Sequence, residues 1–227
     1  MELNVWEPGR IWYADMLCRR FGLTHIHRMV LFRISEDSLI VHSPIELTTS
    51  LQKALSKIGK VRAVIVPSPA YHQHLSEWWL AYPQALFYAT PTTIQKRTDL
   101  NFDGALSGNT PQLWKGELYQ TAILGLTTPR KMVFCDPVSR TLVLTDNLLA
   151  VQPSLPMGQK LATWVHGIHT ELKMPYSDKR HVSHMPLLRA SVQEIMTWPF
   201  DRILTNNGLE YRQDAKSTFY QAFWWAF

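Results

Sequence analysis

Residues 28–44, RMVLFRISEDSLIVHSP, open with apolar side chains at every second position, then Ser35-Glu36-Asp37-Ser38, then Leu39, Ile40 and Val41. Period-two alternation broken by four turn-forming residues predicts a β-hairpin. The spacing changes next: Leu47, Leu51, Leu55 and Ile58 recur at helical intervals before Gly59, which predicts a helix over about 46–58. Ala63–Val66 is a short apolar run ended by Pro67 and Pro69, as expected of a buried strand, because proline cannot donate to a sheet ladder. A helix carrying Trp78, Trp79 and Tyr82 stops at Pro83, and a strand follows at 85–89. Residues 101–115 read as loop, and 131–135 and 141–145 as strands around the turn at Asp136-Pro137.

Residues 150–185 are the least regular stretch, with Pro153, Pro156 and Pro175 and the histidines His166, His169, His181 and His184. Leu188, Val192 and Ile195 then mark a helix stopped by Pro199, and RILTNNG at 202–208 is a strand with its turn. The chain closes on Phe219, Tyr220, Phe223, Trp224 and Phe227, an apolar helical stripe expected to be buried against the chain itself or across a homodimer. Alternating β and α signals with no repeat or linker predict an α/β layered fold, one domain over 1–227, with an irregular histidine-containing insertion at about 150–185 and an aromatic C-terminal segment at about 217–227.

Composition narrows the function classes. A formal charge of +5 is spread over scattered pairs such as Arg19-Arg20 and Lys179-Arg180, which describes a solvated surface and not a nucleic-acid tail, while leaving an anionic small ligand open. No apolar run reaches the roughly 18 residues of a membrane span. Two isolated cysteines, Cys18 and Cys135, and early charges at Glu2, Glu7, Arg10 and Asp15 predict a cytoplasmic protein with Cys135 in the core.

Four segments in order resemble the metallo-β-lactamase superfamily over residues 25–210. That family's first motif, T-H-x-H-x-D-H, aligns with Val66–His72. Only His72 is kept, with Pro67 and Pro69 at the two earlier histidine positions and Tyr71 at the aspartate. The second, H-T-P-G followed by strand, turn, strand and G-D, aligns with Thr127-Thr128-Pro129-Arg130 and, without a gap, Thr145-Asp146, so Thr127 stands for a histidine and Asp146 for the bridging aspartate. The last, G-H-G, places Asn207 at its histidine. Within the superfamily the chain is similar to a bacterial branch with degenerate metal-binding motifs.

The resemblance implies a four-layer αββα sandwich, with a cleft lined by His42, Pro67, Pro69, Tyr71, His72, His74, Thr127, Asp146 and Asn207. It also implies that the two-metal centre is lost, since proline has no ligating side chain and Thr and Asn are poor zinc ligands. Without a metal, a water in the cleft keeps a pKa of about 15.7 instead of about 7. The expectation is therefore no cofactor and a binding or scaffold protein acting on a small molecule. The alternative is a hydrolase-like enzyme with a rebuilt site, metal-free or holding one zinc or iron through His72 and Asp146 with nearby histidines.

His72, Asp146 and Tyr71 are the candidate catalytic groups, and Asp146 is expected to find its partner in His72 or Tyr71. Ser68 beside His72 suggests a Ser-His-Asp arrangement, but no G-x-S-x-G elbow accompanies it. His166-x-x-His169 has helical ligand spacing, although histidines in loops are more often solvated. His25-x-His27, if strand-like, sends its rings to opposite faces and is expected at the surface.

Overall fold

The computed structural model describes residues 2–20, 23–146, 148 and 171–227. A seven-stranded sheet runs in chain order: β1 (Asn4–Glu7), β2 (Ile11–Arg20), β3 (Leu23–Ile34), β4 (Ser38–His42), β5 (Lys60–Val66), β6 (Leu86–Ala89) and β7 (Gly104–Ala105). A five-stranded sheet is ordered β12 (Glu210–Tyr211), β11 (Arg202–Thr205), β10 (Thr141–Leu144), β9 (Met132–Asp136) and β8 (Tyr119–Ala122). Helices α1 (Thr49–Ile58), α2 (Leu75–Ala81) and α3 (Pro91–Lys96) connect strands of the first sheet, and α4 (Tyr176–Lys179), α5 (Met185–Thr197) and α6 (Ala215–Phe223) accompany the second.

Three apolar layers follow from the pleat, because successive side chains in a strand face opposite sides. Met29, Leu31, Leu39, Val41, Val64 and Val66 pack outward onto Leu51 and Leu55 of α1 and Trp78 of α2. Their neighbours Val30, Phe32, Ile40, Ala63 and Ile65 face inward and meet Met132, Phe134, Val143 and Leu204 of the other sheet. The outer side of that second sheet, Val133, Cys135, Leu142, Leu144 and Ile203, is covered by Leu188, Val192 and Ile195 of α5 and Phe219 and Phe223 of α6. Helix, sheet, sheet, helix is the αββα sandwich expected from the sequence.

Local signals explain most boundaries. Thr48 caps α1 by accepting from Leu51 N at 3.3 Å, so this helix begins at Thr49 and not near 46. The hairpin forms as read, with Val30 opposite His42 and Ile34 opposite Ser38. Cys135 is fully buried in the core.

One expectation fails. His27 is not at the surface: it shares the outward face of β3 with Met29 and Leu31 and is buried against the ring of Tyr71, leaving only His25 exposed. Within the chain, the C-terminal stripe is buried at Phe219 and Phe223. α6 ends there and a 3-10 turn over Trp224–Ala226 changes the residue spacing, so Trp224 and Phe227 are 67% and 46% exposed. His166 and His169 lie outside the described residues; His181 and His184 are exposed. No helix among the described residues is long and apolar enough to cross a membrane.

Candidate functional site

β4 and β5 are parallel, as are β10 and β11, and β3 is antiparallel to β4. The last residues of four strands and the first half of β3 therefore lie at one edge, and backbone hydrogen bonds join the two sheets there. Met132 N donates to Pro67 O at 2.9 Å and Arg28 N to Asn206 O at 2.8 Å. Asn206 Nδ2 in turn donates to Arg28 O. The segments carrying His42, Pro67, Asp146 and Asn207 consequently meet at one edge of the sandwich, where the cleft is expected.

At this edge, Pro67 is buried, and Ser68 caps a 3-10 turn over Pro69–Tyr71 by accepting from Ala70 N. Tyr71 is buried against His27, ring centroids 4.5 Å apart, and its phenol is pushed well above its usual range by burial and by the nearby Asp146 carboxylate. The His72 carbonyl accepts from Arg97 Nη1 at 2.6 Å, its ring Nδ1 is buried without a hydrogen-bond partner, and burial together with Lys96 and Arg97 lowers its pKa. His74 pairs with Glu77 at 3.1 Å, and Glu77 also accepts from Leu47 N. Thr127 is exposed and bonded through its backbone to His181 O, while Thr205 Oγ1 donates to Asn207 Oδ1.

Asp146 takes its partners from other residues than His72 or Tyr71. Ser68 Oγ lies 3.5 Å and Lys131 Nζ 4.0 Å from Asp146 Oδ2, and Lys131 also reaches Asp178 Oδ2 at 2.5 Å. Burial raises the Asp146 pKa against the opposing effect of Lys131. Ser68 and Asp146 thus meet, but among the described residues no hydrogen bond or ion pair brings in His72 as the third member of a triad.

The geometry adds Ser43, Asn206 and Lys131, which sequence spacing did not single out, and shows what surrounds His42 and His27. His42 is fully buried, edge-on to Phe134 at 5.0 Å and Phe32 at 6.1 Å, and burial followed by the proximity of His27 lowers its pKa to about 3. His27 is lowered to about 4 by burial and by His74, with a hydrogen bond to the Ser43 backbone opposing. Both rings are therefore neutral at physiological pH. Ser43 is buried with φ of +57°, a left-handed conformation that costs a residue with a Cβ and often marks a functional site. His42 Nδ1 and Nε2, His27 Nε2, Ser43 Oγ, Asn206 Oδ1, Asp146 Oδ1 and Thr128 Oγ1 are buried and make no hydrogen bond. The face of His27 was readable from its parity with Met29 and Leu31; nothing in the sequence marked Asn206 or Lys131.

These side chains do not suit a metal centre. Among the described residues no group of three His, Cys, Asp or Glu converges to hold an ion. The buried histidines of this edge, His27 and His42, pack against aromatic rings, and the Asp146 carboxylate is engaged by Ser68 and Lys131 and not by an imidazole.

No protein-family model matches the sequence, and no curated protein matches it. Solved structures do. DIM-1 metallo-β-lactamase exposed to ceftazidime superposes with a TM-score of 0.68 at 11% identity, covering 100% of this chain and 97% of that one. The FIM-1 metallo-β-lactamase of Pseudomonas aeruginosa in its mono-zinc form gives 0.65 at 9% identity, over 99% and 95%. A fragment of a putative diflavin flavoprotein from Nostoc sp. gives 0.66 at 15% identity, over 99% and 96%. With two sheets packed between helical layers and matches that span nearly the whole of each chain, this protein has the metallo-β-lactamase fold.

Proposed function

We propose that this chain is a metal-independent binding protein that takes a small polar ligand in the cleft at the strand ends. The observation that carries the reading is the concentration of unpaired buried polar atoms on His27, His42, Ser43, Thr128, Asp146 and Asn206. Folded proteins pair more than about 90% of such atoms, and leaving one unpaired costs about 1–3 kcal/mol. A ligand with matching donors and acceptors recovers that cost.

Charge narrows its class. The imidazoles are neutral, and the cations at this edge are held by acids: Arg28 by Asp15 at 2.7 Å and Glu210 at 3.2 Å, Lys131 by Asp178 and Asp146. The cleft therefore favours an uncharged or cationic hydrogen-bonding molecule, such as a polyol, amide or amine, over a phosphate or carboxylate. The two described cysteines are unpaired, which supports a reducing, cytoplasmic setting.

The test combines elemental analysis of untagged protein, zinc and iron titration by calorimetry, and a thermal-shift screen of polyols, amides and amines against phosphates and carboxylates. The reading expects no stoichiometric metal, and stabilisation by neutral or cationic compounds that is weakened by Asp146→Asn. One tightly held metal equivalent that disappears in Asp146→Ala would instead establish the rebuilt hydrolytic site.

A further inference from the structure

A second hollow lies on the opposite helical layer, away from the cleft. Its volume is about 330 Å³, and it is lined by Lys173, Met174, Tyr176 and Lys179 on one side and by Gln221, Ala222, Trp224 and Trp225 on the other. That size falls at the lower end of the roughly 300–1,000 Å³ of small-molecule sites. Its apolar floor is fixed in place: Met174 and Ala222 are buried in the outer core, and the Trp225 indole is held by its own donation to Ala222 O at 3.1 Å.

The chemistry of the walls is uneven. Lys179 Nζ stands 4.9 Å from the centre of the Trp225 ring, and Lys173 is close enough to disfavour its charge. Burial, and then Lys173, lower the Lys179 pKa. Arg180 adds a third cation 5.8 Å over the Tyr176 ring. The acids nearby leave this balance positive. Glu171 pairs with Lys173 at 2.9 Å but is itself exposed, and Asp178 is turned inward to Lys131. Tyr176 and Trp224, 61% and 67% exposed, border the opening, although large aromatic side chains are rarely left in water together at a concave site without a ligand.

We infer that this hollow binds a small amphiphilic anion, its acidic head held between Lys173 and Lys179 and its flat apolar body lying against Trp225. Two ammonium groups on one wall of an apolar hollow, near enough that Lys173 disfavours the charge on Lys179, are relieved by an anion bound beside both, and an indole fixed by its own hydrogen bond gives a ring a surface to stack on without further ordering. A free soluble anion fits this hollow better than a bilayer does, because the lysines and the fixed indole line a concavity and not a raised surface.

The experiment titrates the full chain with 2-naphthoate by calorimetry, with 2-naphthylmethylamine as a shape-matched cation and phosphatidylglycerol vesicles as an anionic surface. The expected result is saturable one-to-one binding of 2-naphthoate. Lys179→Met and Lys173→Met should each weaken it about tenfold, the value of one charge-assisted contact. The Trp225 indole N–H resonance, assigned with Trp225→Phe, should shift on binding. Both lysines are half-buried at the wall of the hollow, and an unchanged circular dichroism spectrum and melting temperature will confirm that the variants fold. Equal binding of the amine, no saturable binding of 2-naphthoate, naphthoate binding unaffected by both lysine variants, or vesicle binding without naphthoate binding would each overturn the proposal.

Discussion

His42 offers the sharpest test of the cleft, because its burial has a thermodynamic consequence that depends on pH. Its pKa is about 3 in the folded chain against the usual 6.5, and that of His27 about 4. Above pH 6.5 both rings are neutral, folded or unfolded, and contribute no pH dependence. As pH falls below 6.5 the unfolded chain takes up protons that the folded chain refuses, so stability is lost on acidification until the folded pKa values are reached. Between pH 7 and pH 5 each ring should cost about 2 kcal/mol, or about 4 kcal/mol together.

For a chain of this length, 1 kcal/mol moves the melting temperature by about 2–4 °C, so the two rings together predict a fall of about 8–16 °C. His42→Leu removes one of them, together with two unpaired nitrogens, and leaves an apolar side chain between Phe32 and Phe134. The variant should be no less stable than the parent at pH 7 and should lose only about half as much between pH 7 and pH 5, because one of the two rings remains. Thermal melts followed by circular dichroism at half-unit pH steps measure the difference, in which the titration of carboxylates and exposed histidines cancels. Parallel curves for parent and variant would refute the reasoning, as would imidazole nitrogen shifts showing His42 protonated in the folded chain at pH 5.

Three further outcomes follow from contacts elsewhere. Lys131→Met strands Asp178, which is buried, and Asp146; chemical denaturation should show a loss of about 3–5 kcal/mol, partly restored by adding Asp178→Asn. Gly125→Ala should destabilise by more than about 1 kcal/mol, since φ is +82° and a Cβ would lie 2.3 Å from His184 O and 2.9 Å from Leu188 N; a stable variant with native hydrogen exchange in α5 would contradict the packing. Phe219→Ala and Phe223→Ala should each cost about 3–5 kcal/mol, whereas Trp224→Ala, on an exposed ring, should stay within about 1 kcal/mol.

What could be read from the sequence follows from how each segment is buried. β3, β4, β5, β9 and β10 lie between layers, so their apolar residues alternate or run together and the pattern is unambiguous. β1 and β2 were not legible. β1 is an edge strand, and β2 interleaves Tyr13, Asp15 and Arg19 with its apolar residues, since only part of its length is covered. β8, YQTA, is buried but polar, and Gln120 satisfies itself on Trp114 and on the Ser107 and Asn109 carbonyls, a solution no local rule anticipates. At the cleft the spacing of the motifs located the strand ends. It could not show that His72 would be drawn to Arg97 or that Asp146 would meet Lys131, because those pairings depend on contacts between distant parts of the chain.

These pairings also explain how the cleft edge holds together with side chains that do not suit a metal. A metal centre commonly ties several strand ends to one ion, whereas the strand ends described here are tied by contacts within the chain. Here the first loop is stiffened by Pro67 and Pro69 and fastened by the Met132 N to Pro67 O bond, and Thr145 Oγ1 donates to Met132 O from the strand beside it. Arg97 grips the His72 carbonyl, Asn206 bonds Arg28 across the sheets, and Lys131 supplies a positive charge on which Asp146 and Asp178 converge. Each fastening uses backbone carbonyls or committed charges and leaves His27 Nε2, both His42 nitrogens, Ser43 Oγ and the second oxygen of Asp146 buried without hydrogen-bond partners. The contacts that support this edge therefore use other atoms than the unpartnered polar set, and the unpartnered set is what the proposed ligand would meet.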